Sequence, residues 1–171
     1  MTYRLAPFLI AAAVFFLDRI TKIVIKAHLS FYDTIRVIPG CFNIIHTENP
    51  GVAFGLFAES TNPFRAVILI GLSAAVLVLI TTVLVRLPKR GEPRNWLLPL
   101  ALAFVLGGAF GNLYDRTVHG TVTDFLEVYA DGHYFPAFNV ADSCITIGAG
   151  LLIIDMLRGR EKRGQAVKAP Q

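Results

Sequence analysis

Two aspartates, Asp124 and Asp142, stand where an extramembrane loop runs into the last of four long apolar segments. Each has apolar neighbours, in Val122-Thr123-Asp124-Phe125 and in Phe138-Asn139-Val140-Ala141-Asp142. Carboxyls at a membrane boundary are costly to hold and are usually functional. Two held close together cannot both ionise, so one keeps a proton while the other serves as a base. That is the chemistry by which an aspartic peptidase activates water. Taken singly, either acid has a simpler reading as a helix cap or as a partner of Arg116; two in converging contexts favour chemistry.

Other polar residues fall in the apolar segments in groups. Asp18 and Lys22 are four apart and share a helical face, with the acid N-terminal to the base, a favourable pair. They read equally as part of a site and as a self-neutralising interfacial pair with Lys22 snorkelling outward. Gly107 and Gly111, with Gly108 beside them, have the spacing that lets another helix approach closely. Asn112 follows directly, and its amide needs a partner on another helix or on a substrate backbone. Asp115-Arg116 reads as a structural ion pair ending that helix. Cys144 lies on a different helical face from Asp142 and reads as small core filler, while Cys41 lies in an external loop. His28, His46, His119 and His133 are loop residues without metal-ligand spacing, and Ser73 and Ser143 lack a nucleophile context.

These residues must be positioned by a membrane-embedded frame. The chain has 171 residues, 54% of them hydrophobic and 16% charged, and a mean hydropathy of +0.58, too apolar for an ordinary soluble domain. Its formal charge of +4 does not indicate nucleic acid, because the basic residues cluster beside apolar spans, where topology and anionic lipid account for them. Residues 67–85 and 96–114 are free of charge and long enough to cross a bilayer. Residues 5–25 cross only if Asp18, Arg19 and Lys22 are tolerated, and residues 139–157 only if Asp142 and Asp155 are. A cleavable signal peptide over 5–17 is disfavoured, since Asp18-Arg19-Ile20-Thr21-Lys22 follows it in place of a small-residue cleavage site. One integral membrane domain of four spans over 1–171 is therefore expected.

Arg4, the 86–94 connection and the tail carry ten basic residues, against four in the opposite loops, which predicts cytoplasmic termini and external loops at about 28–64 and 117–138. In the first loop, 35–37 and 42–46 read as short strands around Pro39-Gly40, with a turn at Asn49-Pro50-Gly51. Residues 52–57 could dip into the interface as a short amphipathic element. Residues 125–129 suggest a short surface helix or flap. Residues 158–171 read as a polar, basic, mobile cytoplasmic tail.

In order along the chain, Asp18-Arg19-Ile20-Thr21-Lys22, Asn49-Pro50-Gly51-Val52-Ala53-Phe54-Gly55, Gly107-Gly108-Ala109-Phe110-Gly111-Asn112-Leu113-Tyr114-Asp115-Arg116, Val122-Thr123-Asp124-Phe125 and Phe138-Asn139-Val140-Ala141-Asp142 resemble the motifs of the bacterial lipoprotein signal peptidase family, signal peptidase II. Arg19, where the family often has Gln, and Thr123, where an apolar residue is common, depart from its pattern. The resemblance implies a mainly α membrane protein with four transmembrane helices, a small extracytoplasmic β-sheet or cradle, and a short interfacial helix. It implies an aspartic endopeptidase of the bacterial inner membrane, its site near the extracytoplasmic face. The enzyme would act as a monomer among membrane lipids, removing the signal peptide of a prolipoprotein before its diacylglyceryl cysteine. Asp124 and Asp142 would be catalytic, with Asp18, Lys22, Asn49, Gly51, Gly108, Asn112, Arg116, Asn139 and Ala141 lining or supporting the site, and with no metal or cofactor. A small transporter or assembly subunit using Asp18, Lys22, Asp124 and Asp142 as an ion path is the alternative. Acids gathered at one membrane face, rather than spaced across it, argue against that.

Overall fold

The charge-free stretches become helices because nothing in them breaks the i to i+4 ladder and because lipid leaves their backbone no other partners. A computed structural model of the protein describes residues 2–31, 33–51, 64–87 and 96–168. Its helices are α1 (Thr2–His28), α2 (Phe64–Arg86), α3 (Leu97–His119) and α4 (Val140–Lys168). Among the described residues, three stretches, Val67–Arg86, Leu97–His119 and Val140–Arg158, are long and apolar enough to cross a membrane. Helix α1 has the length, but Asp18, Arg19, Lys22 and Lys26 interrupt its second half. Large apolar side chains such as Leu9, Phe16, Val67, Leu72, Ile153 and Met156 point outward, a surface suited to lipid and not to water.

Helix α3 is central and packs against α1, α2 and α4. Its glycines set how closely. A Cβ on Gly107 would fall 2.5 Å from the Ala11 carbonyl oxygen of α1, and one on Gly108 would fall 2.4 Å from that of Ala141 on α4. The Gly107/Gly111 face therefore receives α1, whereas Gly108 receives α4. Helix α3 runs past Arg116 to His119 and stops at Gly120, whose left-handed φ of 78° lets its N–H reach the Arg116 carbonyl oxygen. Asp115-Arg116 thus lies inside the helix and does not end it.

Four antiparallel strands, β1 (Thr34–Ile38), β2 (Phe42–Asn49), β3 (Val122–Ala130) and β4 (His133–Tyr134), form a sheet in that spatial order. The first two match the expected strands. Residues 125–129, expected as a helix or flap, are instead the body of β3: Phe, Val and Tyr suit a pleated surface, and β2 offers its edge. Between the Ile44–Leu126 and Thr47–Asp124 pairs, β2 advances three residues and β3 two, a bulge that re-aims the end of β2. The backbone of Phe138 then bonds to Leu126 in both directions, which carries the chain past β3 into α4. Helix α4 continues to Lys168, so the tail expected to be mobile is helical to that point. The amphipathic element expected at 52–57 lies outside the described residues.

Candidate active site

Asp142 is fixed by the way α4 begins. Asn139 is the residue before the helix; its Oδ1 accepts from the Asp142 N–H at 2.9 Å, while its own N–H donates to Asp142 Oδ2 at 3.3 Å. This reciprocal pair is a capping box with Asn and Asp in the two roles, satisfying N–H groups that the helix start would leave orphaned. The simple reading of Asp142 as a cap is therefore true of one oxygen. The other, Oδ1, accepts from Asn112 Nδ2 of α3 at 2.8 Å.

Asp124, in β3, is 2% exposed and accepts two side-chain amides: Asn139 Nδ2 on Oδ1 at 2.7 Å and Asn49 Nδ2 on Oδ2 at 3.0 Å. Asn49 is held in turn by the Gly51 N–H at 2.8 Å, and the Gly51 carbonyl oxygen accepts from Arg116 at 2.8 Å. Burial, with the charge of Asp142 adding to it, pushes the Asp124 carboxyl up to about 6, against the opposing donors Asn49 and Asn139. Asp124 and Asp142 thus come from a strand and a helix, and Asn139 contacts both. Beside Asp124 opens a cleft of about 360 Å³, lined in part by Thr47, Glu48, Asn49, Glu127 and Pro136.

Beneath this pair, Asp18 and Lys22 are fully buried, so Lys22 does not snorkel outward. Lys22 Nζ donates to Asp18 Oδ2 at 2.9 Å and to Asn112 Oδ1 at 3.0 Å, and forms an ion pair with Asp115 Oδ2 at 2.7 Å. Occupying the Asn112 oxygen turns that amide's N–H₂ toward Asp142. Asp18 Oδ1 accepts from the backbone N–H of Ala141 at 3.0 Å, joining α1 to the first turn of α4. Asp115 also pairs with Arg19, whose guanidinium lies 4.7 Å from the Tyr114 ring centroid. The ion pair expected between Asp115 and Arg116 is therefore replaced by longer connections: Asp115 serves α1, and Arg116 serves the Asn49–Gly51 turn.

All eleven residues singled out in the sequence lie in this connected region or, in the case of Gly108, at the α3–α4 contact that brings Asn112 to Asp142. Asp115, Thr123 and Glu48 belong to it as well and were not among the expected site residues. Thr123 is fully buried, and its carbonyl oxygen lies 3.4 Å from Asn139 Nδ2. The available signal was a polar residue where the family pattern commonly has an apolar one. Cys41 and Cys144 are free thiols outside this network, whereas His46 touches its edge, with Nε2 3.5 Å from Glu48 Oε1.

The chain is similar to known proteins over most of its length. Residues 10–158 match the family model for signal peptidase (SPase) II. A lipoprotein signal peptidase of Solibacter usitatus is 42% identical over 153 residues, covering 90% of this chain and 91% of that protein. One from Pseudomonas aeruginosa is 46% identical over 158 residues, covering 92% and 90%. Two bacterial membrane enzymes solved by the in meso method share the fold. One, at 2.3 Å resolution, has a TM-score of 0.78 with 28% identity over 97% of this chain and 93% of its own. The other, at 1.9 Å, has a TM-score of 0.77 with 30% identity over 89% and 92%. The chain belongs to the signal peptidase II family, the aspartic peptidases that remove signal peptides from prolipoproteins.

Proposed function

We propose that Asp124 and Asp142 are the catalytic dyad of this activity. The observation that carries the assignment is Asn139, which donates to Asp124 and caps the helix turn holding Asp142, so that one side chain fixes both acids. The dyad shares one proton. Its ionised member takes a proton from water, whose oxygen attacks the scissile carbonyl carbon while the protonated member hydrogen-bonds the carbonyl oxygen. The tetrahedral intermediate collapses as the leaving nitrogen takes a proton. The shared proton belongs to the pair and not to one residue. Asn49, Asn112 and Asn139 orient the carboxyls and the substrate backbone. Lys22 and Asp18 lock α1 to α3 and α4, Arg116 and Gly51 hold the Asn49 turn, and Gly108 and Ala141 set the α3–α4 distance.

The scissile bond lies before a diacylglyceryl cysteine whose acyl chains stay in the bilayer. Helix α1 is the fourth span, its charges turned inward to α3 and α4. The single domain sits as a monomer in the bacterial inner membrane with both termini cytoplasmic, including the basic tail from residue 158. The sheet and the dyad lie at the extracytoplasmic face. Two observations support this orientation: the basic residues concentrate away from the sheet, and both acids lie at the sheet end of the helices.

The test is cleavage of a purified lipidated prolipoprotein in detergent. Asp124→Asn and Asp142→Asn should each lower turnover on the order of 10²-fold or more while the protein stays folded, since Asn keeps the shape but cannot exchange the proton. Wild-type turnover by either variant would reject the dyad.

A further inference from the structure

Asp18, Lys22 and Lys26 recur every fourth residue along one stripe of α1. Asp18 grips α4 and Lys22 grips α3; Lys26 reaches the sheet, with Nζ 3.0 Å from Glu48 Oε1. Glu48 lies in β2 between Thr47, the partner of Asp124 across the ladder, and Asn49, whose amide donates to Asp124. The same carboxylate accepts from Thr121 at 2.6 Å and from Thr123, the residue before Asp124, at 3.1 Å. On its other flank, His46 sits in the bulge of β2, its ring stacked on Phe31 at 4.3 Å, its Nδ1 2.8 Å from the Leu29 carbonyl oxygen and its Nε2 3.5 Å from Glu48 Oε1. Burial alone would raise the Glu48 carboxyl, but donation from Thr121, Lys26 and Thr123 outweighs it and holds the group below the ordinary carboxylate range.

We infer that Glu48 is a positioning residue for the cleavage reaction: it clamps β2 to β3 beside Asn49 and Asp124, and through Lys26 fastens both strands to the helix that also holds α3 and α4. Asp124 rides on the sheet and Asp142 on α4, so their relative placement depends on how the sheet is seated on the helices. Lys26 and Glu48 are both partly exposed, and pairs of that kind add little to stability. The effect of the clamp is therefore on geometry. The inference rests on the dyad assignment.

The experiment measures kcat and KM against pH on a lipidated prolipopeptide, using full-length protein in detergent, for Glu48→Gln, Lys26→Gln, the double variant and Asp124→Asn. Glu48→Gln should lower kcat on the order of tenfold, within what a sub-ångström misplacement costs. Its KM should be unchanged and the alkaline limb of kcat/KM displaced. Lys26→Gln should fall in the same direction by less, and the double variant no further than Glu48→Gln, because the clamp acts as a unit. Wild-type kcat and limb in Glu48→Gln, or a rise in KM alone, would overturn the inference. Should Glu48→Gln fail to fold, wild-type kcat and limb in Lys26→Gln would overturn it equally. Activity retained by Asp124→Asn would instead reject the dyad, a separate failure.

Discussion

Asn139 uses every polar atom it has: Oδ1 and N–H on Asp142, Nδ2 on Asp124, and its carbonyl oxygen on Ser143. Replacing it by Ala removes a cap worth about 1 kcal/mol and strips a buried carboxyl of a donor, at about 1–3 kcal/mol. A fall in Tm accompanied by loss of turnover is expected, and Asp as the replacement should restore the cap but not the donation to Asp124. Burial and the charge of Asp142 raise the Asp124 carboxyl to about 6, so the pair holds its shared proton up to about that pH and loses it above. Since the proposed reaction needs one proton, and only one, on the dyad, kcat/KM should decline as pH rises through and beyond about 6. Donation from Asn49 favours the ionised form, so Asn49→Ala should move that limb to higher pH. A limb near 4, or one that moves down in Asn49→Ala, would contradict the account. Lys22→Met would leave Asp18 and Asp115 buried without their shared cation, a loss of about 3–5 kcal/mol. Thermal unfolding in detergent should register it as a large drop in Tm.

Between elements, the tightest constraint is Gly108 against the backbone of Ala141, where an added Cβ would meet the carbonyl oxygen at 2.4 Å. Backbone cannot rotate aside, so Gly108→Ala must push the first turn of α4, and Asp142 with it, away from Asn112. Activity should fall at least as steeply as stability, whereas Gly71→Ala, with open space around its Cβ position, should leave both unchanged. The helices were legible in the sequence because lipid-facing segments advertise themselves by lack of charge, and the β1–β2 hairpin because Pro39-Gly40 punctuates it. Strand β3 was hidden for a physical reason: Val122, Thr123, Asp124 and Phe125 are all buried, so the polar and apolar alternation of a half-exposed strand is absent. The Asp18–Lys22 pair was readable from its spacing, but Asp115, the second anion of Lys22, was not. Nothing local in Asp115-Arg116 reveals that its partners lie on α1, and two adjacent opposite charges suggest each other.

At the scale of the whole molecule, the basic asymmetry carries an orientation that reporter fusions can check. One placed after Lys168 should read cytoplasmic and one inserted near Asp33 external; a cytoplasmic signal at Asp33 would invert the topology and move the dyad to the wrong face. Substrate identity was not legible from periodicity or spacing, and came from the family motifs, because a lipid anchor leaves no chemical signature in the residues that cleave a peptide bond. The architecture nonetheless has a use for it. The acids sit where α4 leaves the sheet, while an apolar groove of about 700 Å³ between α1, α2 and α3, lined in part by Phe8, Ala11, Phe15, Val78 and Phe110, faces the lipid side. An apolar segment can stay at that level while the peptide bond meets water in the cleft beside Asp124. Acyl chains contribute about 0.8 kcal/mol per buried CH₂, so even one chain adds several kcal/mol of anchoring. A substrate lacking the diacylglyceryl group loses that anchoring and should be cleaved far less well. Measured on one prolipoprotein with and without the lipid in the same micelles, kcat/KM should be much the higher with it. Equal values would reject lipid recognition and leave the aspartic mechanism standing, because the water activation proposed for Asp124, Asp142 and Asn139 does not involve what holds the substrate in the bilayer.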